Sequence, residues 1–304
     1  YTLVLNQHTP CTTDQKEKQD LDIPLNMEFL LHDTDTENSV KVIDKGIVRL
    51  NESTLTLELD SVSKKPIPIL LKGFSAPVKL EFDQSRSDLL SIVQHSSDEF
   101  SRWDASQKLL LADITRMLES GGSVSDDVID AFIDVASQQE LSKGIRAEIL
   151  SIPGVPSIGE SFETIQVSRL HEIRQSILKK LATVGQSTLK EIFNQNQTLD
   201  PSLSISDVWA QRGLKNVCLQ LLSYGQTEEV EAFIEGQFAT STNMSDTLGA
   251  LKAAQNNYSE LFEDMMEQFD SKWQHDGLVM DKWFALQATR EDVALVANLR
   301  ELTR

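Results

Sequence analysis

The sequence predicts a mixed, multidomain protein in which a small antiparallel β-sandwich is followed by an all-α, irregular solenoid or bowl. Apolar residues alternate with polar residues up to about residue 83, which is the period of half-buried strands. From about residue 85 they recur at helical spacing instead. A length of 304 residues also suits two domains. We therefore assign residues 1–83 to the sandwich and residues 84–304 to the helical domain.

Short alternating runs carry the strand pattern, and polar turn clusters separate them. The runs are Thr2–Asn6, Asp22–Leu30, Thr54–Leu59 and Val78–Phe82. In the second run, alternate residues from Ile23 to Phe29 are apolar, so that face is predicted to be buried. Several short strands joined by turns are typical of a small sandwich. Pro66 and Pro68 are expected at a sheet edge or a strand start, because proline cannot donate a ladder hydrogen bond.

Helical spacing dominates the rest of the chain. The longest apolar stripe consists of Leu170, Ile173, Ile177, Leu181 and Val184. Further helices are predicted at about 206–223, 227–238, 245–255, 258–274, 278–288 and 291–303. Ser125 and Thr227 are expected to cap helix starts, and Thr289 with Asp292 has the spacing of a capping box. Many short helices without a clean repeat predict an irregular solenoid.

The charge and the cysteine content exclude several classes of function. A net charge of −19 disfavours nucleic acids and anionic membrane surfaces, since both would repel the chain. No run of 18 apolar residues occurs, so we expect no membrane span. Cys11 and Cys218 are too few and too distant for a disulfide framework, and Cys218 lies in an apolar stretch where a buried, inert thiol is expected. Together with the lack of a visible signal peptide, this predicts a cytoplasmic protein.

No complete catalytic motif is present in the sequence. His171-Glu172 begins a zinc-peptidase pattern, but Gln175 stands where the pattern needs its second histidine. Glycine-rich phosphate loops and the Gly-x-Ser-x-Gly elbow are also absent. We therefore predict no catalytic, cofactor-binding or metal-ligating residue, and a chain that is inactive by itself.

Several stretches spread over nearly the whole chain match one known family in order. They are Tyr1-Thr2-Leu3, Thr9-Pro10, Asp14–Gln19, Gly73–Glu81, Asp98–Ala105, Asn243–Asp246, Gly277–Phe284 and Leu286–Thr289. In these strings the chain resembles the bacterial aminopeptidase N family, which are zinc metallopeptidases of the gluzincin type. The resemblance is to the β-sandwich and the first part of the helical bowl of such enzymes.

The resemblance implies an architectural role. In the family, an Ig-like sandwich bridges the catalytic domain to a helical bowl that closes over the active-site chamber. The helical domain of this chain is therefore expected to be truncated at its carboxyl end, and its implied partners are the missing N-terminal catalytic domains. The zinc-binding His-Glu-x-x-His helix has no counterpart here. Zinc, peptide substrates and hydrolase activity are thus implied only for the intact parent enzyme.

Two segments are predicted to form the interface with the missing parts of the parent. The candidates are Phe100, Arg102, Trp103, Asp104, Asp281, Lys282 and Trp283. Residues 84–304 also hold 19 basic and 33 acidic residues, which motivates the hypothesis that an acidic bowl steers cationic peptide N-termini.

Two alternatives stay open at this stage. In the first alternative, the chain is an independent α-solenoid module that binds a protein partner. In the second, it is a hydrolase with an unrecognised site. Zinc content and a peptidase assay on the chain would separate these alternatives from the architectural role.

Overall fold

Two compact units, Tyr1–Asp113 and Ile114–Arg304, make up the chain. The computed structural model describes residues 1–32, 40–60, 62, 64–255, 257–291 and 295–302. In the first unit the strands are β1 (Thr2–Asn6), β2 (Ile23–His32), β3 (Val40–Leu50), β4 (Thr54–Glu58) and β5 (Ile67–Ile69). A 3₁₀ turn over Lys72–Phe74 follows them, and then come helices α1 (Arg86–His95) and α2 (Glu99–Ser120).

The strands form two small antiparallel sheets. One sheet pairs β1 with β4, and the other has the order β3-β2-β5. Buried residues of both sheets share one hydrophobic cluster, to which β1 contributes Leu5 and β2 contributes Leu25 and Met27. The predicted antiparallel sandwich is therefore confirmed. The prediction for the prolines is also confirmed, because β5, which contains Pro68, is an edge strand.

Strand β2 is the most deeply buried strand of the sandwich. The predicted inward face is confirmed, since every second residue from Ile23 to Phe29 is buried. Its long partner β3 was missed by the sequence analysis because a bulge interrupts the alternation. Met27 pairs with Gly46 and Glu28 pairs with Asp44, so one residue of β3 has no counterpart on β2.

The predicted strand over Val78–Phe82 is wrong. This segment has no strand pairing, and the Val78 amide donates to the nearby Ala76 carbonyl at 2.9 Å. Val78 packs against the sandwich core, whereas Leu80 is 40% exposed. Phe82 is also exposed, so only Val78 of the three alternating apolar residues packs inward and the alternation marks no buried face.

The second unit is helical. After the end of α2 it contains α3 (Asp126–Ser137), α4 (Lys143–Leu150), α5 (Val155–Gly159), α6 (Val167–Val184), α7 (Gln186–Gln195), α8 (Ile205–Ser223), α9 (Glu228–Thr240), α10 (Met244–Ala254), α11 (Ser259–Trp273), α12 (Gly277–Ala288) and α13 (Leu295–Leu302). The predicted bounds of α8 to α12 agree with the structure to within two residues. Residues 292–294, at the start of the last predicted helix, lie outside the described residues.

The helix caps and the buried apolar stripe of α6 agree with the predictions from the sequence except at two residues, Val184 and Thr289. On α6 the residues from Leu170 to Leu181 of the predicted stripe are buried, but Val184 is 51% exposed because it is the last residue of the helix. Ser125 and Thr227 are the N-cap residues of α3 and α9, as predicted. Thr289 instead follows the carboxyl end of α12, and its predicted partner at position 292 is outside the described residues.

The two compact units divide within α2, after Asp113, and the domain boundary predicted after residue 83 stays a prediction. Helix α1 and most of α2 belong to the first unit by their contacts. A buried carboxylate on β2, Glu28, accepts hydrogen bonds from Ser96 and Ser97 at the junction of α1 and α2. This polar contact ties the two helices to the sandwich.

Candidate functional site

A strained turn after β5 displays an aromatic side chain. Three consecutive or near-consecutive residues, Leu71, Gly73 and Phe74, have positive φ angles of 62°, 62° and 52°. Such a conformation costs about 1–3 kcal/mol for a residue with a side chain, so surrounding contacts must stabilise it. The Gly73 amide donates to Asp98 Oδ2 at 3.0 Å, and the Phe74 amide donates to the Leu71 carbonyl at 2.8 Å. The result is a Phe74 ring that is 55% exposed.

The first turn of α2 extends this aromatic patch. The Phe74 and Phe100 ring centroids are 5.5 Å apart, and those of Phe100 and Trp103 are 5.9 Å apart. Phe100, Trp103 and the neighbouring Asp104 are half-buried. We call Phe74, Phe100, Trp103 and Asp104 the aromatic surface. It joins two of the family-like strings, Gly73–Glu81 and Asp98–Ala105, which are distant in sequence.

The fully buried Glu28 carboxylate contacts the strained turn through Lys72 and contacts the segment that precedes α2. Its Oε1 accepts from Ser96 Oγ at 2.6 Å and from the Ser97 amide at 2.9 Å. Its Oε2 accepts from Ser97 Oγ and lies 3.3 Å from Lys72 Nζ. A stronger hydrogen bond from Lys72 to Asp44, at 2.7 Å, is the main cause that raises the pKa of Lys72. Glu28 and Lys72 thus connect the sheet, the strained turn and the start of α2.

Arg102 belongs to the same segment but lies inside the unit. Its side chain is buried, and its Nε donates to the Ser96 carbonyl at 2.6 Å. Its Nη1 also donates to the Val93 carbonyl at 3.4 Å. These bonds link α2 to the end of α1. Arg102 therefore supports the aromatic surface from below, while Phe100, Trp103 and Asp104 are the predicted interface residues of this segment that reach solvent.

A second candidate surface lies on α12, in the helical unit. Asp281 and Lys282 are exposed, and Trp283 is half-buried and donates from Nε1 to the Met266 carbonyl at 3.2 Å. Two further apolar side chains on this helix are exposed, namely Leu278 at 80% and Phe284 at 46%. We call these five residues the α12 surface. Most of this apolar helix is uncovered in the chain, and such patches mark interaction sites.

The residues examined for catalysis are separated in the structure. His171 is on α6, with its Nε2 3.8 Å from the Glu291 carboxylate. Cys218 is fully buried in α8, which confirms the expected burial, and burial raises the pKa of its thiol to about 12. Within the described ranges no three His, Cys, Asp or Glu side chains are grouped so that they could hold a metal ion. This part of the chain therefore does not fit a zinc ion.

Comparisons with known proteins identify the family. A model described as a domain of unknown function with an Ig-like fold (DUF3458) matches residues 1–83, and one described as the corresponding domain with ARM repeats (DUF3458_C) matches residues 86–304. Aminopeptidase N from Escherichia coli is 36% identical over 99% of this chain. The chain belongs to the aminopeptidase N family. It matches the C-terminal portion of these enzymes, and the predicted resemblance is confirmed.

Two further relatives support the same family and fold. Aminopeptidase N from Haemophilus influenzae is 32% identical over 96% of this chain. A crystal structure of Legionella pneumophila aminopeptidase A in complex with aspartic acid matches 94% of this chain with a TM-score of 0.78 and 23% identity, which shows the fold. The chain spans 35%, 34% and 34% of these three relatives respectively. It therefore corresponds to about a third of a family member.

Two structural features of the candidate surfaces were missed by the sequence analysis. The sequence places Phe74 in a family-like string but does not predict that its ring is exposed, because this exposure depends on the positive φ angles of the turn. Leu278 and Phe284 were assigned to an ordinary helix. Apolar residues lie on all sides of that helix, which was an available signal that part of it is exposed.

In the described part of the chain, no helix is both long and apolar enough to cross a membrane.

Proposed function

We propose that this chain is the non-catalytic, C-terminal part of a zinc-dependent aminopeptidase, and that it bridges to the catalytic domain and caps the active-site chamber. The parent enzyme would remove N-terminal residues from peptides. In this role the chain holds the helical domain over the catalytic domain and restricts access, so that peptides enter and folded proteins do not. Family membership over 99% of the chain supports the assignment to such an enzyme.

The aromatic surface is the observation that carries the bridging role. Exposed, clustered aromatic rings are enriched at protein interfaces because they bury a large area at low conformational cost. Here they are presented by a turn with unfavourable φ angles and by the first turn of α2, both fixed by Asp98. A surface held in place by this much local structure is well suited to dock against another rigid domain.

The α12 surface provides a second contact for the parent. Leu278 and Phe284 supply apolar area, while Asp281 and Lys282 supply charges that fix the orientation of a partner. Each surface belongs to a different compact unit. Two contacts of this kind would allow the catalytic domain to engage both units.

The chemistry of the parent lies outside the residues described here. Relatives of this family are zinc enzymes, and a bound zinc ion would activate water and polarise the scissile carbonyl. The contribution proposed for this chain is to exclude bulk water from the chamber, which strengthens electrostatic interactions at the reacting centre. No ligand to the metal is assigned to this chain.

A hybrid enzyme tests the proposal. In the hybrid, this chain replaces the matching C-terminal portion of Escherichia coli aminopeptidase N, to which it is 36% identical. We expect the hybrid to release the chromophore from an amino-acid p-nitroanilide. The chain alone should neither hydrolyse this substrate nor bind stoichiometric zinc. Hydrolysis by the chain alone with one zinc ion bound would contradict the proposal and favour an independent hydrolase.

Variants of the aromatic surface test the docking and the access control separately from the chemistry. Phe100→Ala with Trp103→Ala should weaken docking by about 2 kcal/mol or more, which lowers the melting temperature of the hybrid and speeds trimming of a folded protein N-terminus. Trp209→Ala is the matched control, because Trp209 is 68% exposed but lies on α8 outside both surfaces. An identical effect of the double variant and the control would show that the aromatic surface is not an interface.

A further inference from the structure

One half-buried lysine of the helical unit has a neutral hydrogen-bond partner instead of a carboxylate. Lys143 is the first residue of α4, and its Nζ donates to Gln211 Oε1 on α8 at 2.8 Å. The other lysines of this unit that are not exposed are Lys180, Lys190 and Lys215, and each forms an ion pair with an aspartate or a glutamate. Among the described residues, Lys143 forms no such pair.

The acceptor that holds Lys143 is fixed in its orientation. Gln211 is buried, and its Nε2 donates to the carbonyl groups of Asn196 at 3.3 Å and of Thr198 at 2.8 Å. These two bonds orient the amide so that its Oε1 faces Lys143. A neutral oxygen accepts a hydrogen bond from an amine and from an ammonium group alike, whereas a carboxylate would favour the ammonium form. The contact therefore positions the nitrogen without fixing its charge.

The surroundings of Lys143 disfavour a positive charge. Burial lowers the pKa of Lys143, and the neighbouring Arg146 cation lowers it further, whereas the Asp207 carboxylate acts in the opposite direction. Arg146 is itself buried and held in place, because its Nε donates to the Ala136 carbonyl at 2.7 Å. Lys143 also lies at the amino end of α4, where the helix dipole disfavours a cation, and the first turn contains no acidic residue. These effects raise the fraction of neutral amine, which is the nucleophilic form of lysine.

We propose that Lys143 is a nucleophilic lysine that is acylated by small acyl phosphates. The neutral Nζ attacks the acyl carbon and forms a C–N bond, the bond from that carbon to the phosphate oxygen breaks, and phosphate leaves with the electron pair. The nitrogen then loses one proton to solvent. The product is a neutral amide whose remaining N–H can still donate to Gln211 Oε1. Acylation thus removes a charge that the site disfavours and keeps the hydrogen bond. This inference does not depend on the proposed function.

Acetylation of the 304-residue chain by acetyl phosphate at pH 8 tests the proposal. Peptide mass spectrometry over time gives the initial rate of modification at each lysine. The matched control is Lys252, which is exposed and lies in the last turn of α10, where the helix dipole favours the ammonium form. We expect Lys143 to react at least about threefold faster than Lys252, because the rate follows the fraction of neutral amine. Any smaller ratio would overturn the assignment.

Two variants change the charge next to Lys143 in opposite directions. Gln211→Glu puts a carboxylate at the acceptor position and should slow acetylation of Lys143 about tenfold. Asp207→Asn removes the carboxylate that favours the ammonium form and should speed it about twofold. Asp207 is exposed, so this variant decides the question even if Gln211→Glu unfolds the unit. The rate at Lys252 should stay the same in both variants. An unchanged or slower rate at Lys143 in Asp207→Asn would refute the proposal.

Discussion

Replacing Glu28 by alanine should destabilise the first unit more than any ordinary surface substitution. The fully buried carboxylate accepts hydrogen bonds from Ser96 Oγ and from the Ser97 amide and hydroxyl. It also lies 3.3 Å from Lys72 Nζ. Truncation would leave these donors and one cation facing an empty volume in the interior.

The loss in free energy of unfolding depends on which hydrogen-bond donors to Glu28 keep another acceptor in the variant. Lys72 keeps its 2.7 Å bond to Asp44, and the Ser96 hydroxyl keeps a longer bond of 3.3 Å to the Asp98 carbonyl. The Ser97 donors lose their partner. The two Ser97 donors each lose a hydrogen bond to a charged group, worth about 1.5–3 kcal/mol apiece, so we expect Glu28→Ala to cost about 4 kcal/mol. Glu28→Gln keeps the shape and one acceptor oxygen, so it should cost about 1–2 kcal/mol.

Urea unfolding followed by Trp103 fluorescence measures this difference. Trp103 is the tryptophan of the first unit, and the other tryptophans are replaced by phenylalanine in every variant so that one unit is observed. At about 2 kcal/mol per molar urea, Glu28→Ala should lower the midpoint by about 2 M. Glu58→Ala, at an exposed site on β4, is the matched control. A shift below about 0.5 M for Glu28→Ala would refute the reasoning.

Three further predictions concern the reactivity of the two cysteines, the pH dependence of stability and two glycines of the helical unit. Cys218 should resist a thiol reagent at pH 8 while the exposed Cys11 reacts, and reaction of both in the native chain would contradict this. The folded-state pKa of about 12 exceeds the unfolded value of 9.0, so between these pH values the folded state holds more protons. The Cys218 thiol should thereby lower stability by up to about 1.4 kcal/mol per pH unit, and Cys218→Ala should remove this contribution to the slope. Gly249→Ala should destabilise the unit by about 1–3 kcal/mol, since the new Cβ would lie 2.5 Å from Asn216 Cγ. Gly236→Ala, with no atom within 4 Å of the new Cβ, should be neutral or stabilising in the same thermal melt, and equal effects of the two would contradict this.

Secondary structure could be predicted from the sequence wherever a side-chain period was unbroken. The inward face of β2 and the bounds of α8 to α12 were predicted because burial on one side imposes a period of two or of about 3.6 residues. Where the period was interrupted, the prediction failed. The bulge opposite Met27 concealed β3, and Val78–Phe82 alternates like a strand although its Leu80 and Phe82 side chains are exposed.

The candidate site needed more than the sequence. Phe100 and Trp103 are predicted as interface residues because they lie in a family-like string. The contact between Phe74 and Phe100, however, depends on a turn whose φ angles no local sequence pattern reveals. Glu28 appears in the sequence as one polar residue on an alternating strand, and only the packing of α1 and α2 over that strand makes it buried.

The fold class, the family and the lack of a metal-binding motif follow from the sequence, because periodicity, composition and short motifs are local properties of the chain. The tertiary structure decided which groups meet. Asn196 follows α7, Arg212 is on α8 and Gln237 is on α9, and the three residues line one cavity only because those helices pack together. A cavity is the space left between elements, so no single stretch of sequence encodes it.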